Sequence, residues 1–271
     1  MQTLSNTPVV YERRGIRWLA FPDFAAEGAY AAATLRSGGV TPGPRGSLNL
    51  SYAVGDEPAR VDENWRRAAA ALEIDPASVV TAQQIHGQRV ARVTAASAGY
   101  QPASGRRSAD GLVTDQPGVI LCLRFADCVP IFAFDPVRRA VGIAHAGWRG
   151  TLAGIAGVLV QAFATEFGTQ PRDLRVAIGP SIGPCCYVVG ADLAARFATT
   201  CSTLENVWLR GAAETRLNLW EANRQQLVAS GVDPDRLSVS AICTSCQVED
   251  YFSHRAQQGQ AGRFIGAIWI R

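Results

Sequence analysis

Apolar residues run almost unbroken through 118–125, 129–134, 139–145 and 263–270. Short continuous apolar runs predict strands covered on both faces. Shorter stretches at 17–21, 29–36, 78–84, 173–179 and 237–242 predict further strands. A different period governs 56–74. Val61, Trp65, Ala68, Ala69 and Leu72 fall on one helical face, with Pro58 in the first turn and Asp56 placed to cap. Three more helices are predicted over 151–167, 190–199 and 219–230, the last stopped by Gly231. The turn-rich segments "TPGPRG" (41–46) and "GRRSADG" (105–111) read as loops. Strands and helices mix without strict alternation, which predicts an α+β class with mixed β-sheets flanked by helices. No repeat or low-complexity linker divides the chain, so residues 1–271 read as one domain.

Composition narrows the chemistry. Hydrophobic residues make up 48% and charged residues 18%, which suits a packed core. A net charge of +3 gives no nucleic-acid stripe and no polybasic membrane patch. All 26 basic residues are arginine. Schiff-base lysine chemistry and a Walker-type phosphate loop are therefore excluded, and any anion must be held by arginine forks. The N-terminal residues do not read as a signal peptide, and "TLAGIAGVLVQAFATEF" is too short and mixed to span a bilayer. Seven cysteines, an odd number in a chain of this size, point to free thiols in a reducing cytoplasm, some of them metal ligands.

Three segments carry candidate chemistry. In "AVGIAHAGWRG", His145 closes an apolar run where a strand gives way to a helix start, with Arg149 at that positive helix end. In "LCLRFADCVPIFAF", Asp127 and Cys128 sit inside an apolar run, and Pro130 is read as breaking the strand just after the thiol. A carboxylate there is expensive unless it is used or paired. Cys128 is open to three readings: a thiolate nucleophile with His145 as base, a metal ligand, or an inert buried thiol. In "TAQQIHGQRV", His86 follows a strand and precedes a glycine turn. Together His86, Cys128 and His145 make an open zinc site with a fourth position free. The HExxH and HxE…PCxxC spacings are absent. Cys243 and Cys246 form a lone CxxC, a weak signal by itself. Cys185 and Cys186 read as structural or pocket-lining, and Cys122 and Cys201 as core or bystander thiols.

These segments also carry a resemblance. "LRSGGV" (35–40), "SLNLSYAVGD" (47–56), "QIHG" (84–87), "ADGLVT" (109–114), "ADCVPI" (126–131), "HAGWRG" (145–150), "IGPSIGPCCYVVG" (178–190), "CT" (243–244), "FSHR" (252–255) and "GR" (262–263) together resemble the YfiH, or laccase-domain, family. That family comprises purine nucleoside-cleaving enzymes once labelled polyphenol oxidases. The resemblance implies a YfiH-like fold and makes His86, Cys128 and His145 the catalytic and metal-binding trio. It places Arg36, Asn49 and Arg149 near the substrate or phosphate pocket. Val188 departs from the acidic residue common after "CCY", and His254 from the usual tyrosine of the "FS-R" segment.

The function implied is phosphorolysis of adenosine, inosine, guanosine and methylthioadenosine, with associated adenosine deaminase activity and Zn2+, or Cu2+, as metal. Phosphorolysis needs an anion held against C1′ and a proton for the leaving purine, which Asp127 or a histidine could give. Two other readings compete. A Cys128/His145 dyad would make a cysteine hydrolase, for example on peptidoglycan precursors. A copper polyphenol oxidase is disfavoured, since three histidines are too few for a multicopper centre, although weak phenol oxidation by copper in the zinc site stays open. No membrane or nucleic-acid partner is expected.

Overall fold

A computed structural model describes residues 7–97, 108–201, 203–210 and 214–271. Two six-stranded sheets form the body. The first has the order β1 (Val9–Arg13), β2 (Ile16–Ala20), β3 (Ala29–Thr34), β15 (Phe264–Ile270), β7 (Ile120–Phe125) and β4 (Val79–Val80). The second has the order β14 (Leu237–Val239), β10 (Arg175–Ile178), β8 (Val129–Asp135), β9 (Ala140–Ala146), β6 (Gly111–Thr114) and β5 (Val90–Arg92). A small third sheet joins β11 (Val188–Val189), β13 (Thr215–Leu217) and β12 (Trp208–Arg210). Antiparallel pairs dominate, but β4–β7, β5–β6 and β10–β14 are parallel. The helices are α1 (Pro22–Glu27), α2 (Pro58–Leu72), α3 (Trp148–Leu152), α4 (Ile155–Phe167), α5 (Ala191–Thr200) and α6 (Leu219–Ala229). The class is α+β.

Period-two alternation builds three apolar layers from these elements. Leu121, Leu123 and Phe125 of β7 meet Phe132, Phe134, Val141 and Ile143 of the other sheet in a shared central core. The alternate residues Ile131, Ala133 and Ala144 face outward onto Ile155, Leu159 and Phe163 of α4. On the far side, Trp18, Ala32, Ile265 and Ala267 pack against Val61, Trp65 and Ala68 of α2. Both faces of the central strands are thus covered, as the unbroken apolar runs predict, while edge strand β1 is exposed.

Four local readings need correction. Pro130 does not end a strand; it lies within β8 and pairs with His145. Its carbonyl accepts from Gly179 N at 2.9 Å, on the side where β10 has already ended, so the missing N–H forfeits no ladder bond. The helix predicted over 151–167 is two helices, broken where Gly154 takes φ 83°. Asp56 does not cap α2. Glu57 is the N-cap, while Asp56 accepts from Thr41 and Asn49 in the preceding loop. Only Val79–Val80 of the predicted 78–84 strand is regular, because the chain turns away to present His86. Of the loop read at 105–111, residues 105–107 lie outside the described residues, and Gly111 already starts β6. Among the described residues no helix is long and apolar enough to cross a membrane.

Candidate functional site

Where β7 of one sheet passes into β8 of the other, the chain bends through Ala126, Asp127 and Cys128. Asp127 takes φ 84° there, a backbone that L-residues adopt only when held. The holding groups are explicit. Thr244 Oγ1 donates to Asp127 Oδ1 at 2.7 Å, and Arg255 N donates to Oδ2 at 2.6 Å. Asp127 O accepts from Ile182 N at 2.9 Å. The bend sets Cys128 beside the end of β9, where His145 is 4% exposed.

His86 reaches the same place by another route. Gln84 imitates a strand residue: its side chain donates to Arg124 O at 2.8 Å and accepts from Arg124 N at 2.9 Å. The loop that follows is closed by Asp110, whose buried carboxylate accepts from the backbone N–H groups of Ile85, His86 and Gly87 at 3.2, 2.9 and 2.7 Å. His86 itself has φ 59°. Asp110 Oδ1 also lies 3.0 Å from His145 Nδ1. One carboxylate therefore fixes both histidines.

The ligating atoms of His86, Cys128 and His145 all lie within 4.8 Å of one another, and the two imidazoles meet edge to face at 4.9 Å. Burial opposes ionisation of Cys128, but His145 and then His86 outweigh it and bring the thiol down to about 6. Burial likewise opposes charge on His145, yet the Cys128 thiolate and Asp110 raise it to about 9. Asp110 is lowered despite its burial by His145 and the loop N–H donors. Gly147 completes the fit, since a Cβ there would stand 2.9 Å from Cys128 Sγ and 3.3 Å from His86 Cδ2.

The donor set suits a metal. Two imidazole nitrogens and a thiolate are ligands that zinc favours and copper accepts. Because Asp110 engages Nδ1 of His145, Nε2 is left for the metal, an arrangement usual for a metal-bound histidine. The trio also opens onto a cavity of about 490 Å³. Arg124, Arg263, Gln84 and His254 line it as well. Arg124 Nε donates to Leu50 O at 3.2 Å, but its Nη2 is buried without a partner among the described residues.

The other candidates from the sequence do not line this cavity. Arg36 spends its guanidinium on the carbonyls of Gly46 and Val248 and rests over Phe252. Asn49 is fully buried and ties Ser51, Asp56 and the backbone of Arg263 together. Asp127 is engaged by Thr244 and Arg255, so it is not placed as proton donor to a purine. Arg149 is exposed and stacks on Trp148 with 4.2 Å between guanidinium and ring. Of the two departures, Val188 contributes its carbonyl to Arg255 Nη1, and His254 lines the cavity. Sequence reasoning passed over Asp110 and Arg124. The cost of a carboxylate before an apolar run, which singled out Asp127, applies equally to Asp110 in "SADGLVT".

A family model described as multi-copper polyphenol oxidoreductase laccase matches residues 30–271. The Geobacillus stearothermophilus protein named purine nucleoside phosphorylase YlmD is 40% identical over 271 residues, spanning 97% of this chain and 98% of that one. Escherichia coli YfiH, also named a purine nucleoside phosphorylase, is 30% identical over 90% of this chain and 95% of its own. The crystal structure of the Geobacillus YlmD superposes with a TM-score of 0.89 at 41% identity, covering 96% of this chain and 98% of that one. The Bacillus licheniformis hypothetical protein YfiH gives 0.89 at 35% identity, over 97% and 99% of the two chains.

Proposed function

Since the chain belongs to the multi-copper polyphenol oxidoreductase laccase family, the family of YfiH and YlmD, we propose that it is a purine nucleoside phosphorylase. The observation that carries this reading is the meeting of His86, Cys128 and His145 on the wall of a cavity that is also lined by Arg124, whose buried Nη2 has no partner among the described residues. The substrates are purine nucleosides, among them adenosine, inosine, guanosine and methylthioadenosine, together with phosphate. The domain is read as the whole chain, 1–271. Seven free cysteines support a reducing cytoplasm as its location.

In phosphorolysis a phosphate oxygen bonds to C1′ as the glycosidic C–N bond breaks. The bonding pair leaves with the purine, which takes up a proton. Arg124 and Arg263 are the arginines that line the cavity and hold the phosphate; Nη2 of Arg124 supplies a donor that no group among the described residues has claimed. Burial lowers the pKa of Arg263, with the charges of Cys128 and Asp127 acting against that shift. His254 is the cavity's imidazole outside the trio and is read as the donor to the purine. Zinc bound by His86, Cys128 and His145 would supply Lewis-acid polarisation at the cavity wall. Asp110 keeps His145 oriented, and Gly147 keeps the space before Cys128 clear.

Adenosine deaminase activity is the finer part of this reading. It asks that water reach C6 of adenine in the same cavity, with ammonia leaving as the C6–N bond breaks. A second reading, a cysteine hydrolase, rests on the lowered pKa of Cys128 beside His145. His86 speaks for the metal reading, because a dyad leaves it without a role. The test is mass-resolved product analysis of adenosine with and without phosphate. Adenine plus ribose 1-phosphate is the expected result, and inosine reports deamination. A zinc-loaded protein that yields no adenine and ribose 1-phosphate in the presence of phosphate sinks the proposal.

A further inference from the structure

Cys186 and Cys246, 60 positions apart, belong to two cysteine pairs that read as unrelated in the sequence. Cys185 and Cys186 sit in a turn in which the N–H groups of Cys186 and Tyr187 both donate to Gly183 O at 3.0 Å. Cys243 and Cys246 span a helix-like turn closed by Gln247 N to Cys243 O at 3.0 Å. The fold lays these turns against each other. Ser181 bridges Cys243 in parallel fashion, and Thr244 N donates to Ser181 O at 3.1 Å. The result is a second cluster, in which all four Sγ atoms lie within 4.8 Å of one another. Cys246 Sγ is 3.5 Å from Cys185 Sγ and 3.4 Å from Cys186 Sγ.

We propose that Cys185, Cys186, Cys243 and Cys246 form a structural four-thiolate zinc site, separate from the His86–Cys128–His145 site. A zinc–sulfur bond of about 2.3 Å in tetrahedral geometry sets neighbouring sulfurs roughly 3.8 Å apart. Separations of 3.4 and 3.5 Å from Cys246, with all four sulfurs within 4.8 Å, suit such a site, whereas a disulfide needs about 2.05 Å. The surrounding backbone already serves a thiolate. Gly183 N donates to Cys243 Sγ at 3.2 Å, and Cys246 N donates to the same sulfur. Such N–H donation from beyond the ligands orients them and steadies their charge. Cys185 and Cys246 are exposed, so an ion has a path in. On binding, four thiols release four protons and Zn2+ gains four sulfur bonds, leaving a complex of net charge −2.

The site has a structural consequence. Thr244, inside the Cys243–Cys246 turn, donates to Asp127, and Ile182, just before the Cys185 turn, donates to the carbonyl of the same residue. An ion holding both turns together would brace the strained bend that presents Cys128. The four thiolates are positioning residues with respect to the first site, not catalytic ones.

Zinc content by elemental analysis provides the test. The wild type, saturated with zinc under reducing conditions and dialysed, is expected to hold two equivalents per chain. A His86→Ala/Cys128→Ala double variant, which destroys the first site, is expected to retain one. Adding Cys246→Ser to that variant should remove the last equivalent and lower the melting temperature by several degrees. So that a perturbed turn in the Cys246→Ser variant does not decide the outcome, cobalt replaces zinc as a second probe. The double variant should give the intense sulfur-to-cobalt charge-transfer bands of a tetrahedral thiolate site. A folded double variant that takes up neither ion overturns the site. So does a count, in denaturant after chelation, below the six cysteines that variant contains, since that would mean a disulfide. None of these readouts depends on phosphorylase activity.

Discussion

Asp110 Oδ1 and His145 Nδ1 lie 3.0 Å apart with both side chains buried, and the same carboxylate gathers three consecutive N–H groups of the His86 loop. Two ligands that arrive from different parts of the chain are thereby set by one residue. Asp110→Asn keeps the volume but replaces one accepting oxygen with an NH2 donor, which would face N–H donors. Zinc affinity at the first site should fall about 10- to 100-fold, the usual cost of losing such a partner. Competition titration against a chromophoric chelator measures it. An unchanged affinity would show that the histidines are held some other way.

Arg124 and Arg149 make opposite predictions. Arg124 lines the cavity and its buried Nη2 has no partner among the described residues, so Arg124→Gln should raise the KM for phosphate roughly 10- to 100-fold, the worth of one or two charge-assisted bonds. Arg149→Ala should leave that KM within about twofold, since Arg149 is exposed, stacks on Trp148 and is not among the residues lining the cavity. Initial rates over a phosphate series separate the two. A large effect at Arg149 and none at Arg124 would return the anion role to the helix end.

Gly147→Ala places a methyl group 2.9 Å from Cys128 Sγ. Relieving that clash costs about 1–3 kcal/mol, which falls on the trio because Gly147 is packed against it. Zinc affinity and phosphorolysis should both drop about tenfold or more, while the far-ultraviolet circular dichroism stays as in the wild type. Wild-type affinity in this variant would mean that the sulfur can move freely.

Metal removal discriminates the phosphorylase from the thiol hydrolase. Protein verified as metal-free by elemental analysis should lose phosphorolysis and regain it with added zinc. Full nucleoside cleavage by the metal-free protein, or an acyl-thiol adduct trapped on Cys128, would favour the hydrolase instead.

Glu27 offers a pH test away from the site. It pairs with Arg175 and, at 3.1 Å, with Arg236. Burial opposes ionisation, but the two arginines lower its pKa below the usual carboxylate value. A depressed folded pKa means stability that is present above the unfolded value of about 4.3 and lost as pH falls through the folded one. Glu27→Gln should therefore cost about 1 kcal/mol at neutral pH. The gap should narrow in urea melts as pH falls below about 4.3 and close below the folded pKa. A gap that persists there would assign the loss to packing.

The chain's local pattern carries the parts whose cause is local. Unbroken apolar runs mark β7, β8, β9 and β15 to within two or three residues, and the face of Val61, Trp65, Ala68 and Leu72 marks α2, because burial imprints its period directly on the sequence. His86, Cys128 and His145 stood out because polar groups at the ends of apolar runs are costly and few. What the sequence alone could not determine is which distant groups meet. Asp110 is 35 residues from His145, and its role depends on β6 pairing with β9 in one particular register. Arg124 became an anion candidate only once the fold left one of its nitrogens unclaimed, while Arg36 and Asn49 were consumed by carbonyls and amides from other loops. The two cysteine pairs share a site only because Ser181 lies beside Cys243. Periodicity records that a residue is buried, whereas the partner it is buried against is decided by sheet order and register, which no single segment contains.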